Sequence, residues 1–278
     1  MEFDSKIGGC GVEVRGVQLA HLGDDDFVRL REAFVRYGVL FFREQTFAPD
    51  DHLTFARRFG PIVVNKFFPE SEFDCEIAEV RKNADQKMNI GGGWHADHSY
   101  DPEPALGSIL VARELPRQGG DTLFAQAADA YEALSDGLKT TLRTLRAVHS
   151  NRHIYGEDGF YRKTDLAEQL GGMDRVGDAT HPIVIAHPES GRPVLYVNPG
   201  HTTQIEGWTV PESRALLDFL FDHVSGEASS FTTRFEWEPG SIAVWDNRQT
   251  WHLALNDYQG EARLMHRITL AGSPLAAA

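Results

Sequence analysis

From residue 107 to the end, the chain is cut into short β-rich runs: "GSILVARELP", "THPIVIAHP", "RPVLYVN", "TRFEWEPG", "SIAVWDN" and "RLMHRITLAG". Gly, Pro or Asn bounds each run, and that punctuation marks short strands rather than helices. Helices are few and do not alternate regularly with the strands, which disfavours a parallel α/β sheet. The pattern predicts an α+β, mainly β fold: a double-sheet β roll with helices packed outside.

The helical segments carry their own signals. "DDDFVRLREAFVRYG" has Asp24 to Asp26 at its start and Gly38 at its end, and "APDDHLTFARRFG" has Pro49 in its first turn and Gly60 at its end. Two further helices are expected, over residues 125–147 with Ser135 as a cap inside the segment, and over "PESRALLDFLFDHV", residues 211–224. The opening "GGCGVEVRGVQL" alternates like a strand, and "VLFFRE" reads as a buried one. No repeat or low-complexity linker divides the 278 residues, so one domain over 1–278 is expected.

A net charge of −14 excludes a basic stripe for nucleic acid and disfavours anionic membranes, yet leaves room for a local basic pocket. Cys10 and Cys75 have neither zinc-knuckle nor redox-pair spacing and read as reduced thiols. The start "MEFDSKIGGCGVEV" lacks an apolar run, and no segment is long and apolar enough to span a bilayer. A cytoplasmic protein is the expectation.

The densest chemistry lies in "GGGWHADHSYDPEP", residues 91–104. If "WHADHSY" is a strand or a strand's end, His95 and Asp97 share one face and Ala96 points away. Histidine beside carboxylate makes two-thirds of a facial metal triad, whose third ligand comes from elsewhere in the fold. His252, between two hydrophobic runs in "SIAVWDNRQTWHLALNDY", is the choice for that place. His98 is the local rival, three residues from His95, but Pro102, Pro104 and the glycines oppose the helix it needs. An isolated His-x-Asp also occurs as ordinary surface residues.

The last strand adds a second feature. Arg263, Met265 and Arg267 fall on one face, and two guanidiniums among Leu264, Ile268 and Leu270 are costly unless anions receive them. A planar guanidinium suits a carboxylate held bidentately. Pairing with the chain's many acids on an edge strand is the other reading.

Taken in order, "GVLFFREQ", "FARRFGPI", "WHADHSY", "PALGSILVARELPRQGGDTLFA", "HPIVIAHPESGRPVLYVN", "WDNRQTWH" and "RLMHRITLAG" resemble the taurine dioxygenase and 2,4-dichlorophenoxyacetate dioxygenase family of iron(II)/2-oxoglutarate enzymes. The resemblance spans nearly the whole chain. It implies a double-stranded β-helix, or jelly roll, with flanking helices, and a dimer or tetramer. It also implies iron(II) held by His95, Asp97 and His252 as the catalytic centre. Arg263, eleven residues after His252, and Thr122 match the residues that bind the distal carboxylate of 2-oxoglutarate. Arg267 matches an arginine facing the substrate's acidic group, and Trp245 an aromatic near the iron whose core packing is explanation enough.

Departures from the taurine enzyme's pattern concern the substrate. Asn65 and Phe68 in "NKFFP" replace its histidine and tyrosine, Gly91 replaces an asparagine, and His201 stands where it has phenylalanine. With Phe67 and Tyr155 these changes disfavour taurine and favour a larger or more apolar group beside an anion. The implied reaction couples decarboxylation of 2-oxoglutarate to succinate with hydroxylation of a small organic anion, using molecular oxygen. Candidate substrates are a sulfonate, an aryloxyalkanoate or another carboxylate. Asp97 speaks against a halogenase, whereas desaturation or another oxidative outcome stays open on the same scaffold. A zinc-dependent hydrolase is the rival from another class, but it has no HExxH helix and leaves Arg263 with Thr122 unexplained.

Overall fold

A computed structural model describes residues 1–5, 8–172 and 175–278. The chain begins with β1 (Glu2–Asp4), β2 (Val12–Arg15), α1 (Asp24–Tyr37), β3 (Val39–Phe42), α2 (Pro49–Phe59), β4 (Ile62–Val63) and β5 (Ala78–Lys82). After a long loop come β6 (Gly107–Glu114), β7 (Thr122–Gln126), α3 (Ala127–Glu132), α4 (Asp136–Leu142), β8 (Arg146–Ser150) and α5 (Arg152–Tyr155). Four short strands follow: β9 (Asp178–Pro182), β10 (Val184–Ala186), β11 (Pro193–Leu195) and β12 (Thr202–Ile205). The chain ends with α6 (Val210–Ser225), β13 (Thr232–Phe235), β14 (Ile242–Asp246), β15 (Thr250–Ala254) and β16 (Arg263–Leu270).

The strands form a jelly roll. Its larger sheet runs β1-β2-β3-β14-β6-β16-β4, with β5 also paired to β16, and β13-β7-β15 packs across from it. Side-chain alternation assigns the two faces of the larger sheet. Leu40, Phe42, Ile109, Val111, Ile242, Val244, Ile268 and Leu270 join Leu30 and Phe34 of α1 and Phe55 and Phe59 of α2 in an outer core. The intervening Phe41, Leu110, Trp245 and Met265 meet Phe124 and Phe235 of the opposite sheet in an inner core. On β16 this parity turns Arg263, Met265 and Arg267 inward, the shared face expected from the sequence.

Both N-terminal helices form for the expected local reasons. Three aspartates open α1, which stops at Gly38, whose N–H donates to the Phe34 carbonyl at 2.9 Å. Pro49 opens α2, and the Asp51 carboxylate accepts from the Ala48 N–H at 2.9 Å.

Two expectations are corrected. The helix expected over 125–147 is two short helices and a strand. Ser135 does cap the second helix, its Oγ accepting from the Leu138 N–H, but residues from Arg146 leave it to pair with β9 and β12. The run "THPIVIAHP" is also split at Ile183, because β9 pairs with β8 whereas β10 pairs with β11. Among the described residues no helix is long and apolar enough to cross a membrane.

Candidate functional site

The segment holding His95 is not a strand. It makes a single bridge to β15, with the His95 N–H donating to the His252 carbonyl at 3.0 Å and the His252 N–H to the His95 carbonyl at 2.8 Å. A tight turn follows, with His98 at φ 56 and the Asp101 N–H donating to the His98 carbonyl. The bridge suffices to set the faces: Ala96 enters the core behind the minor sheets, and His95, Asp97 and His252 converge.

One ligand atom from each of these three lies within 4.8 Å of the others. Asp97 Oδ1 is 3.6 Å from His95 Nε2 and 3.7 Å from His252 Nε2. His95 Nδ1 sits 2.7 Å from the Gly93 carbonyl, an acceptor only, so Nδ1 donates there and Nε2 is the nitrogen turned to Asp97. Burial, reinforced by His95, holds His252 well below the usual imidazole value and therefore neutral. Burial alone would raise Asp97, but the Arg267 guanidinium, His252 and His95 hold it well below the usual carboxylate range. Two imidazoles and one carboxylate form a donor set that fits a divalent metal. His98 stands apart, bonded through Nδ1 to Asp101 at 2.9 Å.

The other carboxylate oxygen of Asp97 is held by the protein. Arg267 Nη2 approaches Oδ2 to 2.5 Å, Trp245 Nε1 donates to it at 3.3 Å, and Ser108 Oγ at 3.4 Å. Trp245 therefore does more than fill the core: its indole N–H also donates to Asn247 Oδ1 at 2.9 Å, and its ring centroid lies 4.6 Å from that of His252. Gly200 packs so close that a Cβ there would lie 2.7 Å from the His95 Cβ. Sequence reading missed Ser108, Asn247 and Gly200 because each reaches the ligands through pairings distant in the chain.

Arg263 and Thr122 lie on the same cavity wall as the three ligands. Arg263 is buried, and its Nε and Nη2 have no hydrogen-bond partner among the described residues. Burial draws its pKa below the ordinary arginine value. A guanidinium in that condition fits the carboxylate end of a diacid. Trp237, also unforeseen, donates from Nε1 to Thr122 Oγ1 at 3.0 Å and lies 5.7 Å under the Arg263 guanidinium.

A cavity of about 580 Å³ opens from these groups. It takes in all five side chains expected near a substrate: Arg267, Asn65, Phe68, Tyr155 and His201. Their chemistry differs from residue to residue. Asn65 Oδ1 accepts from the Phe67 and Phe68 N–H groups at 2.9 and 3.2 Å, so only its amide nitrogen is free to donate. Phe67 and Tyr155 stack 4.2 Å apart at 13°. With Tyr100 and Tyr161 they form an aromatic wall, and Phe160, half exposed, also lines the cavity. Gly91, at φ +79, lies where any Cβ would press on the His95 ring. His201 is neutral, because burial and then His95 push it down to about 3.

Comparison with known proteins gives a consistent picture. A family model described as taurine catabolism dioxygenase TauD, TfdA family matches residues 4–269. The alpha-ketoglutarate-dependent sulfate ester dioxygenase of Pseudomonas putida is 34% identical over 274 residues, covering 95% of this chain and 87% of that protein. The (S)-phenoxypropionate/alpha-ketoglutarate-dioxygenase of Sphingobium herbicidovorans is 33% identical over 268 residues, covering 95% of this chain and 92% of its own. A crystal structure of a taurine dioxygenase from Burkholderia xenovorans superposes with a TM-score of 0.82 at 33% identity, over 99% of this chain and 92% of that one.

Proposed function

Because the chain belongs to the taurine catabolism dioxygenase TauD, TfdA family, and is thus an iron(II)- and 2-oxoglutarate-dependent dioxygenase, we propose that it hydroxylates a small organic anion with an apolar body. A sulfonate, a sulfate ester or an aryloxyalkanoate fits that description. The observation that carries the proposal is one cavity of about 580 Å³ in which a metal-fitting triad, two buried guanidiniums and an aromatic wall meet.

In this reading His95 Nε2, Asp97 Oδ1 and His252 Nε2 hold the iron. When bound, iron(II) supplies oxygen activation coupled to oxidative decarboxylation of 2-oxoglutarate to succinate. Arg263 grips the distal carboxylate of the cosubstrate, and Thr122, its hydroxyl oriented by Trp237, adds a second contact. Arg267 and the free amide of Asn65 face the substrate anion. Phe68, the stacked Phe67 and Tyr155, and His201 hold the rest against the metal side and exclude water, so that one carbon is presented for hydroxylation. Where that carbon bears a sulfate or aryloxy oxygen, the hydroxylated product breaks at the carbon–oxygen bond.

The test is succinate release, with product identification, across sulfonates, alkyl sulfates, aryloxyalkanoates, phosphonates and amino acids. Substrate-stimulated, oxygen-dependent succinate formation supports the proposal. Hydrolysis of the same compounds in anaerobic buffer with zinc favours a hydrolase.

A further inference from the structure

One side chain in the cavity, His201, is fixed by the fold in a single orientation. The groups proposed to face the substrate anion, the Arg267 guanidinium and the Asn65 amide, are donors. His201 is held so that it offers the opposite. Its Nδ1 lies 3.0 Å from the Ala96 carbonyl oxygen. A carbonyl oxygen only accepts, so the hydrogen of the neutral ring resides on Nδ1 and the Nε2 lone pair is left free.

The surroundings lock that orientation. The His201 N–H donates to Asn198 Oδ1 at 2.9 Å, and Asn198 Nδ2 donates to Ser99 Oγ at 3.0 Å. Ser99 Oγ in turn lies 3.3 Å from His201 Nδ1. The ring stands edge-on to Tyr100, with centroids 4.8 Å apart. The hydrogen bonds of His201 among the described residues use only Nδ1 and the backbone, and the ring forms part of the cavity wall. Its centroid is 6.0 Å from that of His95, with the two rings nearly perpendicular.

We infer that His201 is a specificity-determining residue, whose Nε2 lone pair selects substrates carrying a hydrogen-bond donor next to the carbon that reacts. The inference rests on the proposed hydroxylation of an anionic, partly apolar substrate. It narrows that reading, ranking anions with an N–H or O–H beside the reacting carbon above the aryloxyalkanoates and sulfate esters, whose oxygen there only accepts. The reacting carbon must sit beside the metal, hence beside His95, whose ring centroid is 6.0 Å from that of His201, so a donor close to that carbon is the one His201 can meet. A substrate with a lone-pair acceptor at that place, such as an ether oxygen, meets another lone pair and loses its hydration without replacement. A hydroxyl or N–H at the same place gains a bond.

Phenoxyacetate and N-phenylglycine differ only in an ether oxygen against an N–H, which makes them a matched pair of probes. We would titrate each into the iron(II)- and 2-oxoglutarate-loaded enzyme under nitrogen and follow the heat of binding. The wild type should bind N-phenylglycine about tenfold more tightly. His201→Phe should bring the two affinities within about threefold of each other, and His201→Gln, which keeps an acceptor oxygen, should recover part of the preference. Equal or tighter binding of phenoxyacetate, a preference that survives in His201→Phe, or binding of neither acid overturns the inference. Nitrogen-15 spectra of histidine-labelled wild-type protein add a readout that needs no substrate. An unprotonated Nε2 on His201 supports the inference, and a protonated Nε2 overturns it. The hydroxylation reading is judged separately by succinate release across the wider panel.

Discussion

Arg267 and Asp97 form a buried ion pair, Nη2 to Oδ2 at 2.5 Å, on the side of the carboxylate turned away from the two histidines. The guanidinium occupies one oxygen and leaves Oδ1 facing His95 and His252. Removing one partner of such a pair strands the other charge in a desolvated place, at a cost of roughly 3–5 kcal/mol. Arg267→Met should therefore destabilise the chelator-treated protein by that order. Manganese(II), neutralising Asp97 from the other side, should recover more stability in the variant than in the wild type. Denaturant titrations with and without metal measure this, and equal metal stabilisation in both proteins would contradict it.

Arg263 presents the opposite case, a buried guanidinium with two nitrogen atoms lacking any partner among the described residues. Arg263→Ala should leave the cosubstrate-free protein as stable as the wild type or more so, since no ion pair is lost. It should raise the KM for 2-oxoglutarate roughly 10- to 100-fold, with little change in the KM for the primary substrate. Steady-state kinetics in both substrates decide, and the reverse pattern would exchange its role with that of Arg267.

A methyl group at position 200 would lie 2.7 Å from the His95 Cβ and 3.1 Å from the Trp94 carbonyl. Gly200→Ala must displace the segment that carries the first ligand. Metal affinity should fall roughly 10- to 100-fold, the range seen when groups supporting a ligand are disturbed. Competition with a metal-binding dye reads the change. Unaltered affinity would mean that the segment moves aside freely.

His52 is wholly buried in the outer core, 5.8 Å from the Phe47 ring. Burial, aided by Arg113 and His266, pushes its pKa down to about 3 from 6.5. Between those values the unfolded chain binds a proton that the folded chain refuses, so stability rises with pH and is lost on acidification. His52→Leu should reduce the stability lost between pH 7 and pH 5 by about 2 kcal/mol. Denaturant unfolding at the two pH values provides the test, and parallel losses in both proteins would contradict it.

These residues also show what could be read from the chain alone. The roll was legible because each strand alternates, and the same parity placed Arg263 and Arg267 on one face of β16. His95 and Asp97 were visible because their spacing is local. His252 was picked out by its setting between two hydrophobic runs and Arg263 by the parity of its strand, whereas Thr122 was found by resemblance alone, since nothing in its own neighbourhood marks it. Trp237, Ser108 and Gly200 stayed hidden for a physical reason: each acts through a pairing set by the closed roll. Trp237 reaches Thr122 because Phe235, two residues earlier, pairs with Thr122 across β13 and β7. The 125–147 segment misled because a helical pattern runs on into residues whose edges are claimed by β9 and β12.

Succinate formation by Asp97→Ala tests the site assignment most directly. The measurement compares oxygen-dependent release of succinate from 2-oxoglutarate by wild type and variant, each supplied with iron(II). The wild type should turn over only with iron, oxygen and 2-oxoglutarate together, and the variant should lose that activity along with tight metal binding. Near-normal succinate release from Asp97→Ala would contradict the assignment and place the metal elsewhere in the fold.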